Sequence, residues 1–433
     1  MKKTFTGGVH PPGFKKLSRG KAIKQAPLPD EVFIPLAQHT GAPCEPAVKK
    51  GDLVKTGQLI AKSDKFISGF IHSSISGSVT AVKNSPHPVL GGCKAIVIKS
   101  DGKDERVEMD AGGAVKDMVR RAGIVGMGGA AFPTHVKLSP PAGKTMDTFI
   151  LNGVECEPYL SCDHRLMLER PKEILEGAML IMDALGLKKC IVGIEANKPD
   201  AIEAMGSAIL GFKNSGCDFQ VVSLGVKYPQ GAEKQLIKAL VNREVPAGGL
   251  PFDVGVMVNN VGTALAVYEA VKLKKPLYER VVTVTGNIVK EPQNLLVRIG
   301  TPVRDLIRFC GGTTKDIGKI IMGGPMMGIA LHTQDAPVIK GTSGILVLSG
   351  EEADKRSWDP CIRCGKCVDV CPAGIVPAHL GICAESEDFK AAQLYDPFDC
   401  IECGACAYVC PSLRPLVQWI KWTKMRLRGT EVK

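Results

Sequence analysis

Eight of the sixteen cysteines in this 433-residue chain fall in two runs of identical spacing. Cys361, Cys364, Cys367 and Cys371, followed by Pro372, form CxxCxxCxxxCP, and Cys400, Cys403, Cys406 and Cys410, followed by Pro411, repeat it. Three thiolates this close together wrap three corners of an iron–sulfide cubane, and the fourth cysteine of each run ligates the other cluster. The expected sets are Cys361, Cys364, Cys367 and Cys410 for one 4Fe-4S cluster, and Cys371, Cys400, Cys403 and Cys406 for the second. Zinc is the competing reading, but zinc sites favour separated CxxC pairs, and the proline after each fourth cysteine favours a ferredoxin-like arrangement. Two clusters in one repeat make a path for single electrons. Cys383 lies between the runs, fits neither, and is expected to be a buried thiol.

A second candidate is the run 123–134, where Gly123, Gly126, Gly128 and Gly129 would let backbone N–H groups approach a phosphate closely. No strand precedes it, so by itself it is equally a simple turn. Three polar phrases accompany it: 152–158, with Asn152, Glu155 and Glu157, after a strand end; 228–235, with Glu233, before a helix; and 258–263, with Asn259 and Asn260.

These groups need a scaffold, and the chain is long enough for three or four domains. Residues 1–105 are rich in glycine, proline and short β-branched runs, which predicts a small β domain. The phrases 48–60 and 75–79 resemble the biotinyl/lipoyl barrel-sandwich fold, with Lys65 read as an ordinary turn lysine. From about 113 to 250, apolar strands at 148–151, 190–194 and 219–224 alternate with helices opened by Pro171 and Pro199, which predicts a doubly wound, largely parallel sheet. Such sheets bind ligands at strand C-terminal ends. Residues 280–350 read as α+β: strands at 281–285 and 295–299, a helix from Pro302 to Gly311, then strands near Ile320 and at 345–348. A hydrophilic linker at 351–356 leads into the cysteine-rich segment.

No apolar stretch approaches the roughly 20 residues that span a bilayer, and no secretory signal is legible, so a cytoplasmic chain is expected. Reduced thiols there suit metal or redox chemistry better than disulfides. The net charge of +11 suits anionic partners or a merely solvated exterior. Nucleic acid is disfavoured, because no basic run is interleaved with aromatics. The tail 419–428 is basic and partly amphipathic, which suits a partner or membrane surface or a plain surface helix.

Taken with the glycine loop, the three polar phrases resemble the flavin- and NADH-binding subunit of respiratory complex I. The whole chain, including its opening 5–12, resembles the C subunit of the Rnf electron-transport complexes. The resemblance implies a multidomain α/β and α+β fold: a barrel-sandwich hybrid β domain (1–110), a Rossmann-like flavin domain (111–255), a β-grasp (SLBB) module (256–350) and a ferredoxin-like domain with two 4Fe-4S clusters (351–433). It further implies that Gly126, Gly128, Gly129, Lys137, Asn152, Glu155, Asn259 and Asn260 line a non-covalent FMN, with Phe132, Glu157 and Glu233 near NAD(H). Met127, Ala131, Val154 and Ala232 replace the Arg, Gly, Asp and Glu of the complex I pattern, which bears on nicotinamide geometry more than on flavin. Plain structural readings stand beside these: Phe132 as core, Glu157 and Glu233 as helix caps, Lys137 as a solvated lysine.

On this reading the chain is the NAD(H)-facing oxidoreductase subunit of a membrane-bound ferredoxin:NAD complex that translocates Na+ or H+. It would sit peripherally on the cytoplasmic face, with other subunits and, indirectly, ferredoxin as partners. The rivals are a flavin and iron–sulfur cobalamin reductase, and an electron-carrying adaptor with no NADH site.

Overall fold

The apolar runs of the second quarter build the sheet on which the rest is arranged. In the computed structural model, which describes residues 3–110, 112–141, 143–353 and 356–430, four parallel strands lie in the order Asp218–Leu224, Lys189–Glu195, Thr148–Asn152, Val256–Asn260. Phe149, Ile150 and Leu151 are all fully buried because both faces are covered. Each such side chain contributes about 1.5–3 kcal/mol. Helices Pro171–Leu185 and Val261–Leu273 pack on one face and Glu233–Val241 on the other. The first two approach so closely at Gly177 that a Cβ there would run into the Ala264 carbonyl oxygen.

The boundary expected at 255/256 needs correction. Strand Val256–Asn260 pairs in register with Thr148–Asn152, and the helix after it covers the same sheet, so both belong with the flavin-like unit. The sequence hid this because the strand's partner lies about a hundred residues upstream.

The β domain forms two sheets, of four and three strands, from Glu31 to Ser100, around Val32, Ile34, Ile60, Ile71, Ile96 and Ile98. Residues 3–25 are not part of that barrel. They run as a strap over the other domains: Val9 pairs with Tyr228, Gly8 N donates to Val370 O (2.8 Å), Phe14 stacks on Tyr159, and Lys24–Gln25 joins the third domain's sheet. That six-stranded mixed sheet runs Lys24–Gln25, Gln293–Arg298, Glu279–Thr285, Gly344–Ser349, Ile317–Met322, Ile329–Ala330. Of the expected linker 351–356, Asp354 and Lys355 lie outside the described residues.

The cysteine-rich segment is helical among its described residues, with Leu416–Thr430 packed on Pro377–Glu385. The basic tail is engaged inward. Lys424 and Lys421 pair with Glu402 (2.8 and 3.5 Å), and Arg426 and Arg428 lie over the rings of Phe389 and Phe398. Cys383 is half-buried rather than buried, because the helix carrying it faces solvent on one side.

Candidate functional site

The two cysteine runs adopt one backbone, repeated with an offset of 39 residues (400 − 361). Arg363 and Glu402 both take positive φ (54° and 58°), and Gly365 and Gly404 (79° and 81°) both begin short helices, Lys366–Asp369 and Ala405–Tyr408. Even the turn after each CP pair matches, with Gly374 at φ 69° and Leu413 at 50°. The fold then crosses the runs. One cavity is lined by Cys371, Cys400, Cys403 and Cys406, the other by Cys361, Cys364, Cys367 and Cys410. Burial, with Cys400 and Cys371 alongside, pushes the Cys403 thiol up to about 11. Four sulfurs crowded around one cavity suit a cationic iron–sulfur core, which deprotonates its thiol ligands outright.

The first cavity abuts the parallel sheet and the second faces outward. Tyr228, 1% exposed, donates its hydroxyl to Cys403 O (2.7 Å), Gln235 Nε2 donates to Pro372 O (3.2 Å), and Gly404 packs against Met326 O. Cys364 and Ile362, by contrast, are exposed.

At the C-terminal ends of strand Thr148–Asn152 and its edge neighbour Val256–Asn260, Asn152 and Asn260 are register partners. Asn152 Nδ2 donates to Gly231 O (2.9 Å) and its Oδ1 accepts from Val154 N (3.1 Å), tying two of the polar phrases together. Asn260 accepts from Gly262 N (2.8 Å), capping helix Val261–Leu273, and donates to Asp163 Oδ2 (2.6 Å). Above it lies the glycine loop: a Cβ on Gly128 would fall 2.6 Å from Asn260 Nδ2, whereas one on Gly129 meets nothing within 4 Å. Gly126 N bonds Phe132 O, and Met127 N bonds Thr263 Oγ1 (2.9 Å). Lys137, on the short helix Thr134–Lys137, reaches Glu233 Oε1 (2.7 Å) and Val258 O (3.0 Å).

The buried Asn259 Nδ2 has no partner among the described residues. An orphaned buried amide is costly, and together with the glycine loop over Asn260 and the Lys137 ammonium at Val258 O the donor set fits a phosphate-bearing flavin.

Glu155, with φ 46°, accepts from Asp163 N (2.7 Å) and His164 N (3.4 Å), so it also closes the start of helix Cys162–Glu169. Glu157 is turned elsewhere. Its carboxylate accepts from Met327 N (2.8 Å) and Met326 N (3.1 Å) and lies 3.5 Å from the Tyr228 hydroxyl, which makes it a joint between the flavin-like unit and the third domain. Burial pushes its pKa up against the pull of those amides. Phe132 is half-buried in the glycine loop, with its carbonyl committed to Gly126.

Sequence reasoning missed the groups beneath these loops. Lys15 Nζ donates to the carbonyls of Glu155 (2.9 Å), Glu157 (2.8 Å) and Leu160 (2.5 Å). Lys198 Nζ donates to Val154 O (2.6 Å) and pairs with Glu195 (3.0 Å). It missed Asp163 as well. Burial, then the neighbouring Glu155, pushes the Asp163 carboxyl up to about 7. The folded value exceeds the unfolded one near 3.9, so the native state holds more protons between them, and this group's contribution to stability, full at low pH, is lost as pH rises toward about 7. Asp163→Asn keeps an acceptor for Asn260 and removes the charge. Its melting temperature should change less than wild type's between about pH 5 and 7.5, and parallel profiles in calorimetry would refute this.

A parallel sheet with donors at its strand ends, beside a pseudo-symmetric pair of four-sulfur cavities, defines a flavin and iron–sulfur electron-transfer protein. Sequence models of four families match in order: the RnfC barrel sandwich hybrid domain (3–103), the Nuo51 FMN-binding domain (119–269), the SLBB domain (281–330) and the 4Fe-4S dicluster domain (360–413). The chain is 52% identical to the C subunit of the proton-translocating ferredoxin:NAD(+) oxidoreductase complex of Clostridium ljungdahlii, over 99% of this chain and 95% of that one. It is 46% identical to the Na(+)-translocating counterpart of Acetobacterium woodii, over 87% and 86%. With the C subunit of the ion-translocating oxidoreductase complex of Rhodobacter capsulatus it shares 44%, over 98% and 83%. Among solved structures, an NAD+-reducing [NiFe]-hydrogenase shares the fold at 18% identity and a TM-score of 0.52, over 71% of this chain and 62% of that one. The chain belongs to the RnfC family, the C subunits of ion-translocating ferredoxin:NAD(+) oxidoreductase complexes. It is an oxidoreductase subunit with an FMN-binding domain and a 4Fe-4S dicluster domain.

Proposed function

We propose that this chain passes electrons between NAD(H) and partner subunits, through FMN at the strand ends and the two clusters. Cys371, Cys400, Cys403 and Cys406 hold the cluster nearer the flavin, and Cys361, Cys364, Cys367 and Cys410 the outward one. Gly126, Gly128, Gly129, Lys137, Asn152, Glu155, Asn259 and Asn260 surround the FMN, and Phe132 and Glu233 flank the nicotinamide nucleotide. Glu157 serves the joint with the SLBB domain. The flavin-binding domain extends to the end of helix Val261–Leu273.

The observation that carries this reading is a juxtaposition: the loop of Cys403 hydrogen-bonds Tyr228 of the same domain whose strand ends carry the unpartnered Asn259 amide. FMN, when bound, exchanges an electron pair with nicotinamide and single electrons with a cluster. The chain's own residues orient it: Lys137 and the glycine N–H groups meet the phosphate, and Asn152 and Asn260 hold the walls. The outward cluster faces the other subunits of the complex, to which ferredoxin delivers electrons. No helix among the described residues is long and apolar enough to cross a membrane. With relatives named as subunits of ion-translocating complexes, this supports a peripheral place on the cytoplasmic face of the cell membrane.

The test is anaerobic. The chain is reconstituted with iron, sulfide and FMN, NADH is added, and absorbance is followed. Flavin and clusters should both bleach. Clusters left oxidised beside unreacted NADH would reduce the chain to an electron-carrying adaptor.

A further inference from the structure

Two fully buried cations from the SLBB domain lie beneath the glycine loop. Arg280, on strand Glu279–Thr285, is 3% exposed, and Lys340 is 1% exposed. Arg280 Nη2 donates to Met127 O (3.3 Å), its Nε to Val281 O (3.3 Å), and its Nη1 to the carbonyl of Lys340. Lys340 Nζ in turn donates to Gly123 O (2.7 Å) and Phe70 O (2.5 Å). The loop is thus gripped at its opening residue and again at Met127, whose N–H is held by Thr263. Both cations bond only to carbonyl dipoles among the described residues. The acidic groups that act on Arg280 from a distance are Cys162 and Asp163, and on Lys340 the Cys44 thiol alone. Burial brings Lys340 down to about 8, still protonated at neutral pH.

Charge buried without a carboxylate partner is expensive to maintain. The cost makes sense if negative charge arrives nearby. A hydride from reduced nicotinamide brings two electrons and one proton into the flavin pocket and leaves NAD+ behind, so the pocket gains one negative charge.

We propose that Arg280 and Lys340 are positioning residues through which the SLBB domain fixes the glycine loop for FMN and biases the bound flavin toward its reduced form. The proposal rests on the flavin reading above and assigns the third domain a part in the redox site.

The test uses the full chain, reconstituted with clusters and FMN, as wild type, Arg280→Met, Arg280→Lys and Lys340→Met. FMN affinity is read by fluorescence quenching, flavin midpoint potential by spectroelectrochemistry, and folding by thermal melting. Arg280→Met should bind FMN about tenfold or more weakly and lower the reduced-to-oxidised ratio at fixed potential about tenfold, ~30 mV for a two-electron couple. Arg280→Lys should recover most of the potential but less of the affinity, because an ammonium keeps the charge and loses the forked reach to Met127 O. A lowered melting temperature with affinity and potential unchanged would mean a purely structural role and overturn the proposal. If Arg280→Met does not fold, Lys340→Met decides: wild-type affinity and potential there overturn it, and a fall in both sustains it. Wild type that binds no FMN sinks the flavin reading itself, a separate outcome.

Discussion

Cys403→Ala should give a chain with half its iron, whose flavin NADH still bleaches but whose remaining cluster stays oxidised on the timescale of the wild-type reaction. Cys403 lines the cavity with Cys371, Cys400 and Cys406, and its carbonyl accepts the Tyr228 hydroxyl, so it stands at the contact between the ferredoxin-like domain and the parallel sheet. Loss of one thiolate from a four-sulfur site removes a bonded ligand. The other set, Cys361, Cys364, Cys367 and Cys410, shares no cysteine with it and lies on the outward side, so its cluster survives but is stranded. Iron analysis, electron paramagnetic resonance of the dithionite-reduced protein and stopped-flow absorbance with NADH measure the three parts of the claim. Rapid NADH reduction of the surviving cluster would show that the order of the two clusters is the reverse of that proposed. The matching change Cys364→Ala should instead leave NADH reduction of the inner cluster intact.

Lys198→Met should be the most destabilising single change away from the cysteines. Lys198 and Glu195 are 1% and 3% exposed at their side chains, and the ammonium also serves Val154 O, under the loop that carries Glu155. Methionine fills similar volume but leaves the Glu195 carboxylate buried without its counter-ion, a loss of about 3–5 kcal/mol. For a unit of 150–250 residues each kcal/mol moves the melting temperature by ~2–4 °C, so a fall on the order of 10 °C is expected. The double change Glu195→Gln with Lys198→Met removes both charges and should recover much of the loss, because the cost lies in the orphaned charge more than in the missing bond. Calorimetry on the three chains decides it; a single variant within about 1 kcal/mol of wild type would mean that water reaches the pair.

The two sets of four cysteines that line the cavities were legible in the sequence because the information is local. Three of the four sulfurs of each set lie within seven residues, and the backbone that presents them is dictated by the same short run, down to the positive φ at Arg363 and Glu402. The strand–helix alternation was legible for the same reason: Thr148–Asn152, Lys189–Glu195 and Asp218–Leu224 are apolar runs, and the helices open at Pro171 and Pro199 as their types require. The polar phrases around Asn152 and Asn260 announced a site, and family resemblance supplied its cofactor.

Only the tertiary structure decided what each of those groups touches. Lys15 reaches the Glu155 carbonyl across 140 residues of sequence, Arg280 the Met127 carbonyl across 153, and Tyr228 the Cys403 carbonyl across 175. No periodicity encodes such contacts, since each depends on several domains closing on one another. The same closure moved Val256–Asn260 into the flavin-domain sheet, set the Glu157 carboxylate against the Met326 and Met327 amides, and drew the basic tail inward onto Glu402. A lysine in a sequence reads as a surface charge by default. Burial, which sets Lys15, Lys198 and Lys340 beneath the loops they hydrogen-bond, exists only once the chain has folded around them.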